Sequence, residues 1–436
     1  MSAVAAHWAF AVKSRIALGA ERRAFADYSL RERLDERADD RRRASALARY
    51  AWDSTPFYRA HYRGAGFRRA DLDDPEAFDA LPTVSKEHIR SHEGDFVAAG
   101  LPAVRRLPSS TGGSTGEPLR VFHDGLAPTA ALWWTAYRWW GVTPWENRAV
   151  IHRERRTPSV RRRERAEWWP TVEIALDART MTAASMTRFA DEWNRRRPGV
   201  LNGYVGAVGE FADFLRETGI AVAAPRAVAL TAAPITASQR AVIESAFAAP
   251  VFDSYRSAEV PWIAAECTAH DGLHVLPTRH VELSGADGTV VVTDLANRVF
   301  PLVRYELGDR TEQLDGVCPC GNLRPRIAAV HGRVSDVLRL PGGQRITGGL
   351  TGLFNAHPLA VRRFQVHQRA DGSITLRVVR GGGVDADRVI AEVAESLRAL
   401  VEHAVEVRVE LVADIPHDGG KHRVVRSDVP VQGVRP

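Results

Sequence analysis

Apolar residues recur every four positions at the start of the chain, at Val4, Trp8, Val12 and Ile16. That spacing marks one face of an α-helix. The face is expected to pack against the rest of its domain, with a membrane surface or a partner as the alternatives. Residues 20 to about 105 read as charged helices joined by short turns. Ser54-Thr-Pro-Phe-Tyr-Arg59 interrupts them. Leu81-Pro-Thr-Val-Ser-Lys86 marks a second break, because proline disfavours helix in the residue before it. An extended stretch follows around Leu119 to His123. Next, Trp133, Tyr137 and Trp140 fall on one helical face, in a cluster with Trp134, Trp139 and Trp145. Such a stripe predicts core or interface; the sharper alternative is the wall of a pocket for an aromatic or acyl substrate.

The middle of the chain changes period. Ala149-Val-Ile151, Val200 to Tyr204, Ala227-Val-Ala-Leu230 and Pro250-Val-Phe-Asp253 are short apolar runs, and a helix is expected from Tyr204 through Leu215. Strands alternating with helices predict βα units and a largely parallel sheet, with ligands beyond the carboxyl ends of its strands. From about residue 334 the texture changes again. Val361 to His367 and Ile374 to Val379 alternate around Asp371-Gly372, a strong hairpin signal. Asp385 is placed to cap a helix with the stripe Val389, Val393, Leu397 and Leu400, and Val405 to Val412 alternates once more. The expected class is α/β. A large N-terminal domain with βα-layered sheets spans 1–333, and a small α+β domain spans 334–436.

Composition narrows the function. The 436 residues exceed one ordinary core, and 45% hydrophobic residues indicate a globular chain. The net charge of +6 comes from arginine-rich segments such as Arg161-Arg-Arg163 and Arg195-Arg-Arg197. Those runs read as solvated faces able to attract anionic substrates, not as a nucleic-acid surface. No segment reaches the length of a membrane span, and the first residues lack the pattern of a signal peptide, so a cytoplasmic location is expected. Three cysteines cannot build a disulfide framework. Cys267-Thr-Ala-His270 with Cys318-Pro-Cys320 instead offers three sulfurs and an imidazole. This is a candidate tetrahedral zinc site, with His274 as an alternative fourth ligand.

Between these elements lies Pro108-Ser-Ser-Thr-Gly-Gly-Ser-Thr-Gly-Glu-Pro118. A glycine- and hydroxyl-rich loop can wrap backbone N–H groups around an anion. It fits neither the Walker A pattern nor the Gly-x-Gly-x-x-Gly fingerprint. Further along come Leu230-Thr-Ala-Ala-Pro234, Asp253-Ser-Tyr-Arg-Ser-Ala-Glu259, Phe300-Pro-Leu-Val-Arg-Tyr-Glu-Leu-Gly-Asp309, Gly332-Arg-Val-Ser-Asp336 and Ile415-Pro-His-Asp-Gly-Gly-Lys421. In this order, these motifs resemble those of the adenylate-forming superfamily: acyl-CoA synthetases, luciferases and adenylation domains. The closest subgroup is the phenylacetate-CoA ligase and CapK-like proteins, which Pro56-Phe-Tyr-Arg59 and Pro82-Thr-Val-Ser-Lys86 also resemble.

The resemblance implies an ATP-dependent, AMP-forming carboxylate ligase with a mobile C-terminal lid. Ser114, Thr115 and Gly116 would hold phosphates, Thr115 taking part in catalysis. Tyr255 would stack on adenine, Asp309 would bind the ribose hydroxyls, and Arg333 would sit near ribose and phosphates at the hinge. Glu259 would ligate Mg²⁺, and Lys421 would bridge the substrate carboxylate and the α-phosphate during adenylation. Tyr204, Arg256 and Trp262 would line the substrate pocket. The implied cofactors are ATP, Mg²⁺, CoA and structural Zn²⁺. The implied partners are a small carboxylate and an acyl acceptor, which is CoA, an amine or a hydroxyl; a homodimer is one option for assembly. The sequence departs from the family at Gly112, where serine is usual, and at Ala233, where glutamate is common. Arg256 replaces a glycine beside the acyl pocket, and Ser335 a hinge aspartate. The rival from another class is a catalytically degenerate nucleotide-binding protein.

Overall fold

The computed structural model describes residues 3–34, 37–110, 119–152, 157–285, 288–330, 338–341, 345–346, 350, 353–354, 360–381, 385–415 and 424–429. The chain forms two compact units: Met1–Pro144 with Phe252–Val330, and Trp145–Val251 with His331–Pro436.

The first stretch of unit one is helical: α1 (Ala3–Ile16), α2 (Gly19–Arg31), α3 (Arg37–Ser54), α4 (Pro56–Gly64), α5 (Lys86–His92) and α6 (Thr129–Trp139). The break at Ser54–Arg59 is a single residue. Thr55 accepts the N–H of Tyr58 at 3.3 Å, and Pro56 opens α4 where its missing N–H costs nothing. Ser85 and His88 cap α5 reciprocally, each side chain accepting the other's backbone N–H. The aromatic cluster on α6 is core: Trp133, Trp134, Tyr137 and Trp140 are all buried. Phe10 of α1 and Phe25 of α2 meet Trp134 edge-on at 5.5 and 6.0 Å. One expectation fails here. Val4, Trp8, Val12 and Ile16 do not pack on the domain; they are exposed at 68, 65, 56 and 82%. Phe10, on the opposite side of α1, is the residue that docks. Ahead of α6 stands an antiparallel hairpin, β1 (Arg106–Ser110) and β2 (Arg120–Asp124), whose last pair is Ser110 with Arg120.

Unit two opens with the βα repeat: β3 (Arg148–His152), α7 (Pro158–Trp168), β4 (Glu173–Asp177), α8 (Ala183–Arg196), β5 (Val200–Tyr204), α9 (Val205–Thr218), β6 (Ala227–Thr231) and α10 (Ala237–Phe247). Strands β4, β3, β5 and β6 pair in parallel, as the apolar runs predict. Trp193, Phe211, Ile243 and Phe247 fill the helix–sheet interface. Gly203 is obligatory: a Cβ there would lie 2.4 Å from Cγ2 of Val208 and 3.0 Å from the carbonyl of Ile151. The arginine run at the end of α8 is an exposed face, with Arg195 and Arg196 paired to Glu192.

Unit one resumes with β7 (Val251–Tyr255), β8 (Ala264–Glu266) and β9 (Leu273–Val275), antiparallel to one another in that order. A three-stranded meander follows: β10 (Arg279–Ser284), β11 (Thr289–Asp294) and β12 (Tyr305–Arg310). It packs with the helices into one aromatic core around Phe57, Tyr58, Phe96, Phe300 and Tyr305. The Tyr58 hydroxyl accepts the N–H of Val303 at 2.8 Å, fastening α4 to the chain beside β12.

The end of unit two is α+β. Strands Val361–Gln368 and Ile374–Arg380 form the expected hairpin, with Gly372 at φ +86° in the turn. Val425–Ser427 and Val407–Leu411 flank it in parallel. Helix Ala386–Leu400 buries Val389, Val393 and Leu397 in the core of this stretch. Two details differ from expectation. Asp385 makes no capping hydrogen bond through its side chain, and Leu400 is exposed. The helix is held by its apolar stripe, one residue shorter than predicted.

Candidate active site and thiol cluster

Most of the expected site residues within the described part of the chain lie in unit one. The stems of the Gly/Ser-rich loop are β1 and β2, and both reach the same atom. Oγ of Ser109 donates to the carbonyl of Ala258 at 3.1 Å, and Nε2 of His123 lies 3.0 Å from that oxygen. A carbonyl only accepts, so His123 carries its proton on Nε2. Burial holds its pKa below the usual histidine value. Strands β1 and β2 are thus both tied to the residue before Glu259. Thr111 to Pro118, and with them Ser114, Thr115 and Gly116, lie outside the described residues, as do Arg333, Ser335 and Lys421.

Glu259 is only 4% exposed. The hydroxyl of Tyr305 donates to its Oε1 at 3.2 Å, and Nζ of Lys86 stands 3.7 Å from the same oxygen. Burial and the glutamate's charge push the Tyr305 pKa far above its ordinary value, so this phenol stays a neutral donor. Lys86 rides on the first turn of capped α5, and Tyr305 opens β12. The sequence motifs Pro82–Lys86 and Phe300–Asp309 contain both residues but imply no role for either. Their signal was the motif itself; what the sequence could not give was the fold that brings residues 86, 259 and 305 together.

Asp309 lies at the other end of β12. Its Oδ2 accepts the hydroxyl of Tyr255, the last residue of β7, at 2.8 Å. Tyr255 and Asp309, expected at adenine and ribose respectively, are therefore direct neighbours. Arg256 lies flat on the indole of Trp262, its guanidinium carbon 3.3 Å from the ring centroid. Trp262 has a left-handed backbone, φ 56°, and its ring meets Tyr137 and Trp140 at 6.2 and 6.4 Å. Burial brings the Arg256 pKa down to about 10, partly offset by Tyr137 and Asp253, so the cation persists at neutral pH. Tyr204 ends β5 in unit two, at the carboxyl end of a parallel strand.

The thiol cluster takes a different histidine from the one first assigned. Ligand atoms of Cys267, His274, Cys318 and Cys320 all lie within 4.8 Å of one another. His270 is elsewhere. A turn returns its N–H to the carbonyl of Cys267, its ring stacks on Phe252 at 5.2 Å, and its Nδ1 is 3.1 Å from Glu266. His274 enters because β9 pairs with β8, placing it opposite Ala265. The flanking Leu273 and Val275 were the sequence signal for a buried histidine. The geometry fits a tetrahedral ion. Sulfurs of Cys267 and Cys318 are 3.6 Å apart, and that of Cys320 is 3.3 Å from Nε2 of His274. Ligands about 2.0–2.3 Å from a zinc ion would stand at such separations. Nδ1 of His274 faces the carbonyl of Arg324 at 3.4 Å, which leaves the Nε2 lone pair toward the thiols.

No protein-family model matches the chain. It is 22% identical over 363 residues to Staphylococcus aureus protein CapK, covering 80% of each chain. It is 24% identical over 377 residues to a phenylacetate-coenzyme A ligase of Thermus thermophilus, covering 79% of this chain and 80% of the relative. Among solved structures, 2-hydroxyisobutyryl-CoA ligase in a postadenylation complex superposes with a TM-score of 0.72 at 21% identity, over 90% of this chain and 89% of that one. The anthranilate CoA ligase AuaEII superposes at 0.53 and 13% identity, over 72% and 64%. The fold is the one these adenylate-forming ligases share, and in sequence the chain is similar to CapK and to a phenylacetate-coenzyme A ligase. Among the described residues, no helix is long and apolar enough to cross a membrane.

Proposed function

We propose that this protein is an ATP-dependent, AMP-forming carboxylate ligase that activates a small acid and passes the acyl group to CoA. The observation that carries this reading is the convergence, in one unit, of the loop stems, the Glu259–Tyr305–Lys86 group and the Tyr255–Asp309 pair. In the first half-reaction the substrate carboxylate attacks the α-phosphorus of ATP. The bond to the bridging oxygen breaks, and pyrophosphate leaves an acyl-adenylate. Two anions meet, so positive charge and N–H donors must be in place beforehand. Ser114, Thr115 and the backbone at Gly116 hold the departing phosphates, and Lys86 adds a cation beside them. Tyr255 and Asp309 receive adenine and ribose, with Arg333 near the phosphates. Lys421 supplies charge at the carboxylate and α-phosphate. In the second half-reaction the CoA thiol attacks the acyl carbon and AMP departs.

Glu259, a buried carboxylate steadied by Tyr305, is the residue that would hold Mg²⁺, a hard cation that neutralises phosphate charge when bound. Cys267, His274, Cys318 and Cys320 would hold a structural zinc away from the chemistry. We take residues 334–436 as the lid, with the nucleotide and acyl sites in 1–333. Arg256 stacked on Trp262 favours an acid with a polar or anionic tail over a purely apolar one. The test is ATP–pyrophosphate exchange across a carboxylate library, with Lys421→Ala as control. Exchange with at least one acid, lost in the variant, is the expected result. No exchange with any acid would leave a nucleotide-binding protein, and exchange indifferent to Lys421→Ala would remove the mechanism. Enzyme-dependent formation of a thioester with CoA, and not of an amide or ester with amine or hydroxyl compounds, then identifies the acceptor.

A further inference from the structure

The exposed stripe of α1 has no part in the site described above. Val4, Trp8, Val12 and Ile16 lie within about 120° of one another around the helix, at 100° per residue. All four are more than half exposed. Phe10, about 200° from Trp8 around the helix, is the side that docks on Trp134. The helix is therefore fastened by one face and presents large apolar side chains on the other.

The charge along the segment identifies what covers that face. The first twenty residues contain no carboxylate, and Lys13 and Arg15 stand in the last turn of α1. Arg22 and Arg23 follow shortly after, beside Glu21. A second copy supplies no countercharge in either orientation. Parallel pairing sets Arg15 against Arg15. Antiparallel pairing sets it against the positive end of the partner's helix dipole, where again no acid stands. Four partly exposed side chains also fall short of the roughly 800 Å² that each partner of a stable complex buries. An anionic lipid surface meets both requirements. It takes up a narrow apolar stripe of a helix lying in the plane of the interface, and it supplies negative charge to the flanking cations. An indole in mid-stripe suits the boundary between headgroups and acyl chains.

We propose that α1 is a membrane-surface anchor, docking the protein reversibly on anionic bilayers through Val4, Trp8, Val12 and Ile16, with Arg15, which falls between Val4 and Trp8 around the helix, as the electrostatic contribution. The protein would then act on a soluble acid while resting on a lipid surface.

Sedimentation of the full chain with unilamellar vesicles of phosphatidylcholine and phosphatidylglycerol, about seven to three, tests this against vesicles of phosphatidylcholine alone. Partitioning is expected to the anionic vesicles and to weaken with salt. Trp8→Glu should lower it at least about tenfold, by placing a charge in the apolar stripe. Arg15→Gln should lower it about fivefold, the equivalent of roughly 1 kcal/mol per basic residue at such a surface. Both sites are exposed, and unchanged thermal melting will confirm that the variants fold. Equal sedimentation of wild type and Trp8→Glu overturns the proposal, as does no sedimentation with either vesicle. Self-association in vesicle-free buffer that Trp8→Glu abolishes would assign the stripe to a second copy and likewise overturn it.

Discussion

Tyr305→Phe isolates one atom of the site. The phenol donates to buried Glu259 at 3.2 Å, and its removal leaves that oxygen with Lys86 at 3.7 Å. Phenylalanine fills the same space, so no cavity term arises. A hydrogen bond to a charged group contributes about 1.5–3 kcal/mol. The length here exceeds the roughly 2.7–2.8 Å of a good O–H···O bond, which places the loss near the lower end, about 1.5 kcal/mol. That magnitude corresponds to about tenfold in an equilibrium or rate constant. Because Tyr305 stays protonated well beyond neutral pH, the loss should not vary between pH 6 and 9. Urea unfolding at constant slope measures the stability term, and ATP–pyrophosphate exchange measures its transfer to the site. If the hydroxyl acts through Glu259, Tyr305→Phe should cost hardly anything more in the background of Glu259→Met, which leaves no oxygen to accept the phenol. Full additivity of the two substitutions, or unchanged stability and exchange in Tyr305→Phe, would refute the reasoning.

Three further outcomes are expected. Gly203→Ala should destabilise unit two by about 1–3 kcal/mol through overpacking, visible as a lower urea midpoint, since its Cβ would sit 2.4 Å from Val208. His123 has a folded pKa held below its unfolded value by burial, with Asp294 partly opposing and Arg279 assisting. Below about pH 6.5 the unfolded chain binds a proton that the folded chain refuses, so this residue's stability contribution falls as pH drops. His123→Gln should therefore flatten the fall in melting temperature between about pH 6.5 and 5.5. Metal analysis should find about one zinc per chain, removed by chelation and by Cys318→Ser with a loss of melting temperature, whereas His270→Ala should retain it.

The fold was legible wherever period and tertiary environment agreed. The short apolar runs at 149–151, 200–204 and 227–230 became parallel strands, the geometry such runs favour; 227–230 is buried at every position, while Val150, Asn202 and Tyr204 are half-buried. The Asp371-Gly372 hairpin formed because its turn demands positive φ, which glycine supplies at residue 372. Local pattern misled where it could not see its neighbours. Val4, Trp8, Val12 and Ile16 have the spacing of a core face, yet Phe10, a single ring on the other side, finds Trp134 and decides which way α1 turns. Asp385 has the right type for a cap, but its carboxylate accepts no N–H from the helix start, and the helix is held by its buried apolar stripe.

The candidate site divides along the same line. Tyr255 and Glu259 are candidates from a single motif, which itself fixes their spacing in the chain. Lys86, Tyr305 and His123 are not, because their contacts with this segment span 46 to 173 positions of the chain. The histidine of the thiol cluster shows the difference most simply. Proximity in sequence favoured His270, three residues from Cys267, but a three-residue turn points its ring to Phe252. A strand pairing brings His274 to the sulfurs from seven residues away. Ligand choice in such a cluster follows sheet register, so a Cys-x-x-His spacing should be weighed against any histidine on the returning strand.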